Sequence, residues 1–172
     1  LQLGSCHRAL AAGVNLHPHW SSWVGTPGLP LSADGCSKTV DSAANGYGRG
    51  EGCFAVVLQT AVAGSQSGGV GLGGAAVNQD GRSASFSAPN GIAQQLVVAG
   101  ALRQADLEGL QQHTVETHGT GTALGDPIEV EALRSVLGEG AAGAPGLLGA
   151  VKTRIGHMEY AAVQLRGNCS IV

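Results

Sequence analysis

The chain of 172 residues contains 29 glycines, and 12% of its residues are charged while 43% are hydrophobic. Soluble domains average about 7% glycine and about 25% charged residues, so this chain is glycine-rich and charge-poor, which argues against intrinsic disorder. The length suits one domain, the glycines lack the three-residue period of collagen, and a net charge of -3 offers no basic surface to a nucleic acid.

Two strands are predicted in the first part of the chain. Arg8 to Asn15 (RALAAGVN) is a short apolar run that ends in a turn residue and predicts a buried strand, and Cys53 to Leu58 (CFAVVL) is typical of a fully buried strand. Between them, His17 to Gly52 is rich in the turn dipeptides PG, DG and NG. His17 and His19 have no second His or Cys pair nearby to complete a tetrahedral site, so we expect no metal there.

A glycine-rich stretch from Gly64 to Gly74 contains a literal G-x-G-x-x-G at Gly69, Gly71 and Gly74. No apolar strand precedes it, turn formers follow it where a helix should begin, and no acidic residue stands about 20 positions further on. We therefore interpret the stretch as a loop or a weakly specified strand that joins two halves, not as a dinucleotide site.

The second part of the chain predicts a helix over Ile92 to Leu102, preceded by the turn dipeptide Asn90-Gly91, and then a strand, a helix and a strand. The strands are His113 to Thr117 and Leu147 to Val151, of which the second is expected to be buried. Because such a crossover makes its two strands parallel, we expect a βαβ unit.

The helix of this unit has the best-marked start in the chain. Asp126 is predicted as its N-cap, Pro127 as its first residue, and Glu129 as the partner in a capping box, which places negative charge at the positive end of the helix. An apolar face at helical spacing follows, formed by Ile128, Ala132, Leu133, Val136 and Leu137.

Three polar side chains follow the two strands of the βαβ unit. His118 stands directly after the first strand, Lys152 directly after the second, and His157 five residues later. Since ligands bind at the carboxyl edge of parallel sheets, we expect the two histidines to be neighbours in space. Two imidazoles and an ammonium suit the donation of hydrogen bonds to a developing oxyanion, and the ammonium favours neutral rings. Each histidine taken alone is more often structural, but their shared edge favours a site.

Neither a membrane span nor a secretory signal is expected. The longest apolar runs are far shorter than the roughly 20 residues that cross a bilayer, and the first residues have no basic and no long apolar segment. The four cysteines include no Cys-x-x-Cys pair, which predicts free thiols in a reducing compartment. We expect a cytoplasmic protein, with an organelle as the alternative, and the start without Met suggests a piece of something longer.

Val115 to Leu133 (VETHGTGTALGDPIEVEAL) and Ala150 to Glu159 (AVKTRIGHME) resemble the two histidine motifs of the β-ketoacyl synthase family, in particular the ketosynthase domains of modular polyketide synthases. Asp41 to Gly52 and Ala76 to Gln95 resemble its connecting segments. The resemblance implies an α/β, thiolase-like fold of αβαβα layers in two pseudo-symmetric halves, incomplete here. It assigns 1–62 to the end of the N-terminal half, without its nucleophile region, 63–162 to the start of the C-terminal half, and 163–172 to an aberrant tail.

The resemblance also implies a decarboxylative Claisen condensation between an acyl thioester and a malonyl-type thioester, in polyketide or fatty acid synthesis. In that family two histidines that match His118 and His157 stabilise the thioester oxygen, and a lysine that matches Lys152 supports them. Thr120 and Thr122 match residues that touch the phosphopantetheine arm of an acyl carrier protein.

Further expectations follow from the same family. Glu159 matches an ordering carboxylate. No cofactor or metal is expected to bind directly; the phosphopantetheine arm of acyl carrier protein brings the acyl and malonyl thioesters, and the full-length parent is expected to be a homodimer.

The family's nucleophilic cysteine, in an Asp-Thr-Ala-Cys-Ser-Ser string, has no counterpart in this sequence. None of Cys6, Cys36, Cys53 and Cys169 stands in the electropositive, partly exposed setting that a nucleophile needs, so we expect the isolated chain to be inactive. Two alternatives stay open. One is a non-catalytic remnant that packs against a partner, and the other is a phosphate- or nucleotide-binding module built on the Thr117 to Asp126 loop, which lacks the Lys-Ser/Thr ending of a P-loop.

Overall fold

The computed structural model describes residues 6–19, 28–60, 71–83, 88–107, 114–138, 147–162 and 169–171. Its strands are paired in twos, and one long helix packs on one of these pairs. The strands are β1 (Arg8–Asn15), β2 (Gly52–Gln59), β3 (Ala75–Val77), β4 (Thr114–Glu116), β5 (Leu147–Gly149) and β6 (Cys169–Ile171). The helices are α1 (Gly91–Gln104), α2 (Gly125–Leu137) and α3 (Lys152–Ile155), followed by a 3-10 turn at Glu159–Ala161.

The strands β1 and β2 pair antiparallel along their whole length, with Leu10 opposite Val57. Both predicted strands are confirmed, but the expectation that they are buried is wrong, because Leu10 is 68% and Val57 69% exposed. Alternate residues of a strand share a face, and one face of this pair carries exposed small and apolar residues next to Arg8 and Gln59 at its end: Leu10, Ala12, Val14, Cys53, Ala55 and Val57. Among the described elements, only the Glu159–Ala161 turn packs against the pair, so apolar sequence alone does not bury it.

Helix α1 confirms the predicted helix and extends it by one residue at its start and two at its end. The Asn90 side-chain oxygen accepts the backbone N–H groups of Ile92 at 3.0 Å and Ala93 at 3.2 Å, which satisfies donors of the first turn. The short strand β3 packs on this helix and pairs antiparallel with β6. Of the glycine-rich stretch, residues 64–70 lie outside the described residues, and 71–74 are irregular.

The predicted βαβ unit is present. Strands β4 and β5 pair in parallel with Val115 opposite Leu148, and α2 connects them in sequence. Residue 113, the predicted start of β4, lies outside the described residues. The expectation that β5 is buried is wrong, since Leu147 is 65% exposed.

The core lies between the two long helices. Helix α2 packs against α1, and the buried apolar side chains are small or of medium size: Ala93, Val97, Ala101 and Leu102 on α1, and Ala132 and Leu137 on α2. No helix in the described ranges is long and apolar enough to cross a membrane.

Candidate active site

The two histidines singled out in the sequence lie side by side. His118 follows β4, and His157 follows the short helix α3 that comes after β5. Their ring centroids are 5.4 Å apart, and the ring planes meet at 86°. The structure thus brings together two residues that are far apart in sequence, as the shared edge of the parallel strands predicted.

Both rings line one cavity of about 610 Å³. Thr120 and Thr122 line it as well, with their hydroxyl oxygens 3.4 Å apart. Lys152 is buried at the start of α3 and does not line the cavity; its charge acts on Glu129, which does. Two histidines and two threonines therefore line one cavity.

A backbone group determines which nitrogen of His157 carries the proton. The N–H of Glu159 donates to His157 Nδ1 at 3.1 Å. A ring nitrogen that accepts a hydrogen bond has no proton of its own, so this contact selects the neutral imidazole with its proton on Nε2. Neutral rings were expected at this edge, and for His157 the structure supplies a direct reason.

The backbone of His157 is held by the segment 46–50, which we call the cradle. The His157 N–H donates to the Gly48 carbonyl at 2.7 Å, and the Gly50 N–H donates to the His157 carbonyl at 3.0 Å. The ring of buried Tyr47 meets the His157 ring edge-on with centroids 5.0 Å apart. A Cβ on Gly156, where φ is +72°, would lie 2.6 Å from the Arg49 carbonyl oxygen, so only glycine permits this approach.

The cradle is a part of the site that is not predicted from the sequence, where it resembles only a connecting segment. Its alternating glycines, at 46, 48, 50 and 52, are nevertheless a signal that another backbone approaches closely. Buried Gln94, which also lines the cavity, was missed as well. No local pattern separated it from the other polar residues of its helix.

The loop that carries His118 is held by a carboxylate of α2. The two oxygens of Glu129 accept the backbone N–H groups of His118 at 2.6 Å and Gly119 at 2.9 Å. The predicted capping box, in which Glu129 would serve its own helix, is therefore wrong. The loop lies over the start of α2, and its N–H groups donate to the Glu129 carboxylate instead.

The Asp126 carboxylate also accepts N–H groups from outside its own helix. Helix α2 begins at Gly125 with Leu124 in the N-cap position, so Asp126 and Pro127 both lie inside the first turn and not at the predicted cap and first position. The buried Asp126 side chain accepts the N–H groups of Val40 at 2.8 Å and Gly121 at 3.1 Å. One carboxylate thereby connects α2, the histidine loop and the segment that precedes the cradle.

Replacement of Glu129 by alanine is expected to lower the free energy of unfolding by about 2 kcal/mol near neutral pH, because two loop N–H groups lose their acceptor. Burial raises the pKa of Glu129 above its ordinary value of 4.5, and the Gly119 and His118 N–H groups oppose that rise. With a raised folded pKa, the stability that Glu129 contributes is fully present below 4.5 and is lost as pH rises through the folded value. The deficit of the variant should therefore grow as pH falls towards 4.5.

Urea unfolding at several pH values measures both effects. Glu131→Ala is the matched control, since Glu131 lies on the same helix with a side chain that is 61% exposed, and its loss should change stability by less than about 0.5 kcal/mol. Equal losses in the two variants would show that the carboxylate does not hold the loop as described. A Glu129 deficit that shrinks as pH falls would show that the two N–H groups outweigh burial in setting the pKa of Glu129.

Comparison with known families identifies the chain. The β-ketoacyl synthase N-terminal domain family matches residues 1–63, and the β-ketoacyl synthase C-terminal domain family matches residues 71–166. The chain belongs to the β-ketoacyl synthase family. Both histidines and the α2 carboxylates fall within the C-terminal match, while the cradle falls within the N-terminal match.

Known ketosynthases show the same fold. The ketosynthase from module 1 of the bacillaene synthase of Bacillus amyloliquefaciens is 39% identical, with a TM-score of 0.80 over 94% of this chain and 31% of that one. An oxazolomycin ketosynthase domain from Streptomyces albus is 35% identical, with a TM-score of 0.84 over 94% of this chain and 29% of that one. The predicted thiolase-like α/β fold is confirmed, and the chain represents about a third of it.

A curated relative points to polyketide synthases. One phenolphthiocerol/phthiocerol polyketide synthase of Mycobacterium tuberculosis is 47% identical over 167 residues, which is 94% of this chain and 11% of that protein. This chain is thus similar to one segment of a large polyketide synthase.

The three cysteines whose side chains are described do not line the cavity. Cys6, Cys36 and Cys53 are exposed, and no cysteine belongs to the part of the cavity lining that the structure describes. The side chain of residue 169 lies outside the described residues. The two histidines thus line a cavity to whose described lining no cysteine belongs.

Proposed function

We propose that this chain supplies the oxyanion-stabilising histidine pair of a polyketide ketosynthase, which joins an acyl thioester to a malonyl-type thioester. The observation that carries the proposal is the pair itself: two imidazoles 5.4 Å apart that line one cavity. Donors placed where negative charge develops in the transition state contribute about 100- to 1,000-fold each to such reactions.

The proposed step begins with decarboxylation of the malonyl group. The bond between its α-carbon and its carboxylate breaks, carbon dioxide leaves, and the electron pair delocalises onto the thioester oxygen. The Nε2–H of His157 donates to that oxygen, as its Nδ1 contact with Glu159 prescribes. His118 lies beside His157, with the two ring centroids 5.4 Å apart, and Lys152 is proposed to support the pair from its buried position at the start of α3. The α-carbon then attacks the acyl thioester carbonyl and expels its thiolate.

Thr120 and Thr122 are proposed to contact the phosphopantetheine arm of an acyl carrier protein. Their hydroxyls share the cavity with both histidines, and Thr122 also accepts the Gly125 N–H at 3.1 Å, which fixes its rotamer. The amide and thioester groups of the arm offer hydrogen-bond partners to such hydroxyls. No resident cofactor or metal is part of this proposal.

The setting proposed for the chain follows the family. Residues 1–62 end the N-terminal half and 63–162 begin the C-terminal half, a division supported by the two family matches. The C-terminal match reaches residue 166, and 169–171 pair with β3. The parent is proposed to be a cytoplasmic homodimer served by acyl carrier protein.

The proposal is tested by grafting. The matching segment of the bacillaene module 1 ketosynthase, which is 39% identical, is replaced by this chain, so that the host supplies the rest of its fold and its nucleophile. We expect the grafted ketosynthase to release carbon dioxide from a malonyl pantetheine thioester. A folded graft that accepts an acyl group on its cysteine but releases none would contradict the proposal.

The chain by itself is expected to form no histidine-dependent acyl-enzyme. Exposed thiols exchange slowly with any thioester, so an adduct alone decides nothing. After incubation with an acyl pantetheine thioester, mass spectrometry should give the same small adduct for the natural chain and for a variant that carries His118→Ala and His157→Ala. A larger, stable adduct on the natural chain would reveal a nucleophile within it.

A further inference from the structure

Glu159 has a backbone conformation that residues with a side chain rarely adopt. Its φ is +38°, in the left-handed region, where the Cβ of a non-glycine residue is crowded. Such conformations persist where the surrounding contacts enforce them, and they concentrate at functional sites. Because the N–H of this same residue donates to His157 Nδ1, the contacts that hold Glu159 also affect the histidine.

Two side chains of the cradle meet the Glu159 carboxylate. Arg49 Nε lies 3.3 Å from Oε1, and the two side chains are only 10% and 22% exposed. The Tyr47 hydroxyl lies 3.5 Å from the same oxygen. At these distances the contact is chiefly an ion pair, whose attraction is stronger here than at the surface because little water screens it.

Burial, and after it the negative charge of Glu159, raise the pKa of Tyr47. The phenol therefore stays protonated at neutral pH, and its O–H group is directed at the Glu159 carboxylate. Arg49 supplies the positive charge of the group. Glu159 thus reaches Arg49 with its side chain and His157 with its backbone N–H.

We propose that Arg49 is a positioning residue, which acts through the Glu159 carboxylate to keep the Glu159 N–H on His157 Nδ1 and so fixes the neutral, Nε2-protonated ring. The inference rests on the function proposed above, in which the Nε2–H of His157 is the hydrogen-bond donor. It extends the site into the N-terminal family match, since Arg49 and His157 lie on different matched segments whose backbones form a bridge.

Nitrogen NMR of the ¹⁵N-histidine-labelled chain tests the inference, since two-bond proton–nitrogen correlations show which ring nitrogen of His157 is protonated. We expect the natural chain to show a protonated Nε2 and an unprotonated Nδ1. Arg49→Gln should lower the ratio of Nε2–H to Nδ1–H tautomers by about fivefold, the effect of one lost hydrogen bond. Arg49→Lys, which keeps the charge, should restore part of the ratio.

The matched control is Arg134→Gln. Arg134 Nε lies 3.1 Å from Glu131 Oε2 in an ion pair with both side chains 61% exposed, so its removal should leave the His157 tautomers unchanged. If Arg49→Gln folds, as dispersed amide signals would show, and keeps the natural ratio, the inference is overturned. If Arg49→Gln does not fold, Glu159→Gln takes its place, because it removes the charge with little change of shape. It should lower the ratio in the same direction, and an unchanged ratio overturns the inference.

The same substitution in the grafted ketosynthase separates this inference from the proposed function. A tautomer ratio that falls in Arg49→Gln, together with a graft that releases no carbon dioxide, would uphold the positioning role and refute the function. A graft that is active, with neither its rate nor its tautomer ratio altered by Arg49→Gln, would refute the positioning role alone. The expected result is a fall in both, with partial recovery of both in Arg49→Lys.

Discussion

Replacement of His157 by alanine in the grafted ketosynthase is expected to slow carbon dioxide release from a malonyl thioester by about 100- to 1,000-fold. The ring is buried, lines the cavity beside His118, and is held with Nε2–H as its donor. Alanine removes that donor while the cradle still holds the backbone through Gly48 and Gly50. The loss should therefore appear in the rate of the bound substrate more than in its binding.

The matched control is His7→Ala in the same graft. His7 is exposed and does not line the described part of the cavity, so the rate should stay within about twofold of the graft, as expected for a surface change. If the kcat of the His157 variant equalled that of the control, His157 would take no part in the reaction. A variant that raises KM alone would assign it to substrate binding instead.

Replacement of Gly121 by alanine is expected to lower the free energy of unfolding by about 3 kcal/mol. Gly121 has a φ of +74°, and a Cβ built on it would lie 2.6 Å from the Lys38 backbone nitrogen. Its carbonyl accepts the Gly46 N–H at 2.9 Å, and its N–H donates to Asp126 at 3.1 Å. The added methyl group would push apart the histidine loop and the segment that leads into the cradle.

Gly35 offers a control with a similar φ. Its φ is +71°, but a Cβ there meets nothing within 4 Å, so Gly35→Ala should cost only the positive-φ conformation, about 1 kcal/mol. The difference between the two variants in urea unfolding measures the close approach at Gly121. Equal losses would mean that the two segments do not pack as described.

The histidine pair could be placed from the sequence because each step was local or topological. Strand, capped helix and strand signals mark a βαβ unit, and the parallel rule then brings the residues after both strands to one edge. His118 and His157 needed no further information to become neighbours. The same reasoning put Lys152 with them; the structure buries it at the start of α3, outside the described cavity lining, where its charge acts on Glu129.

The contacts that support the pair could not be predicted in this way. Asp126 and Glu129 have the sequence signature of a helix cap, which indicates nothing about other segments of the chain. In the structure both carboxylates accept backbone N–H groups from outside the helix, those of Val40, His118, Gly119 and Gly121. The Arg49–Glu159 pair spans more than a hundred positions, so no local pattern links its members.

The burial of the strands could not be predicted from the sequence either. An apolar run shows that a strand suits a covered position, but the cover comes from other elements. Only the Glu159–Ala161 turn packs on β1 and β2 within the described ranges, so Leu10 and Val57 remain 68% and 69% exposed.

The most direct measurement is single-turnover carbon dioxide release by a graft that carries both His118→Ala and His157→Ala, with acylation of the host cysteine recorded in the same samples. If the two rings stabilise the oxyanion, acylation should persist while carbon dioxide release falls by more than about 100-fold relative to the unsubstituted graft. Release at the rate of the unsubstituted graft, from a folded and acylated double variant, would contradict that role for the histidine pair.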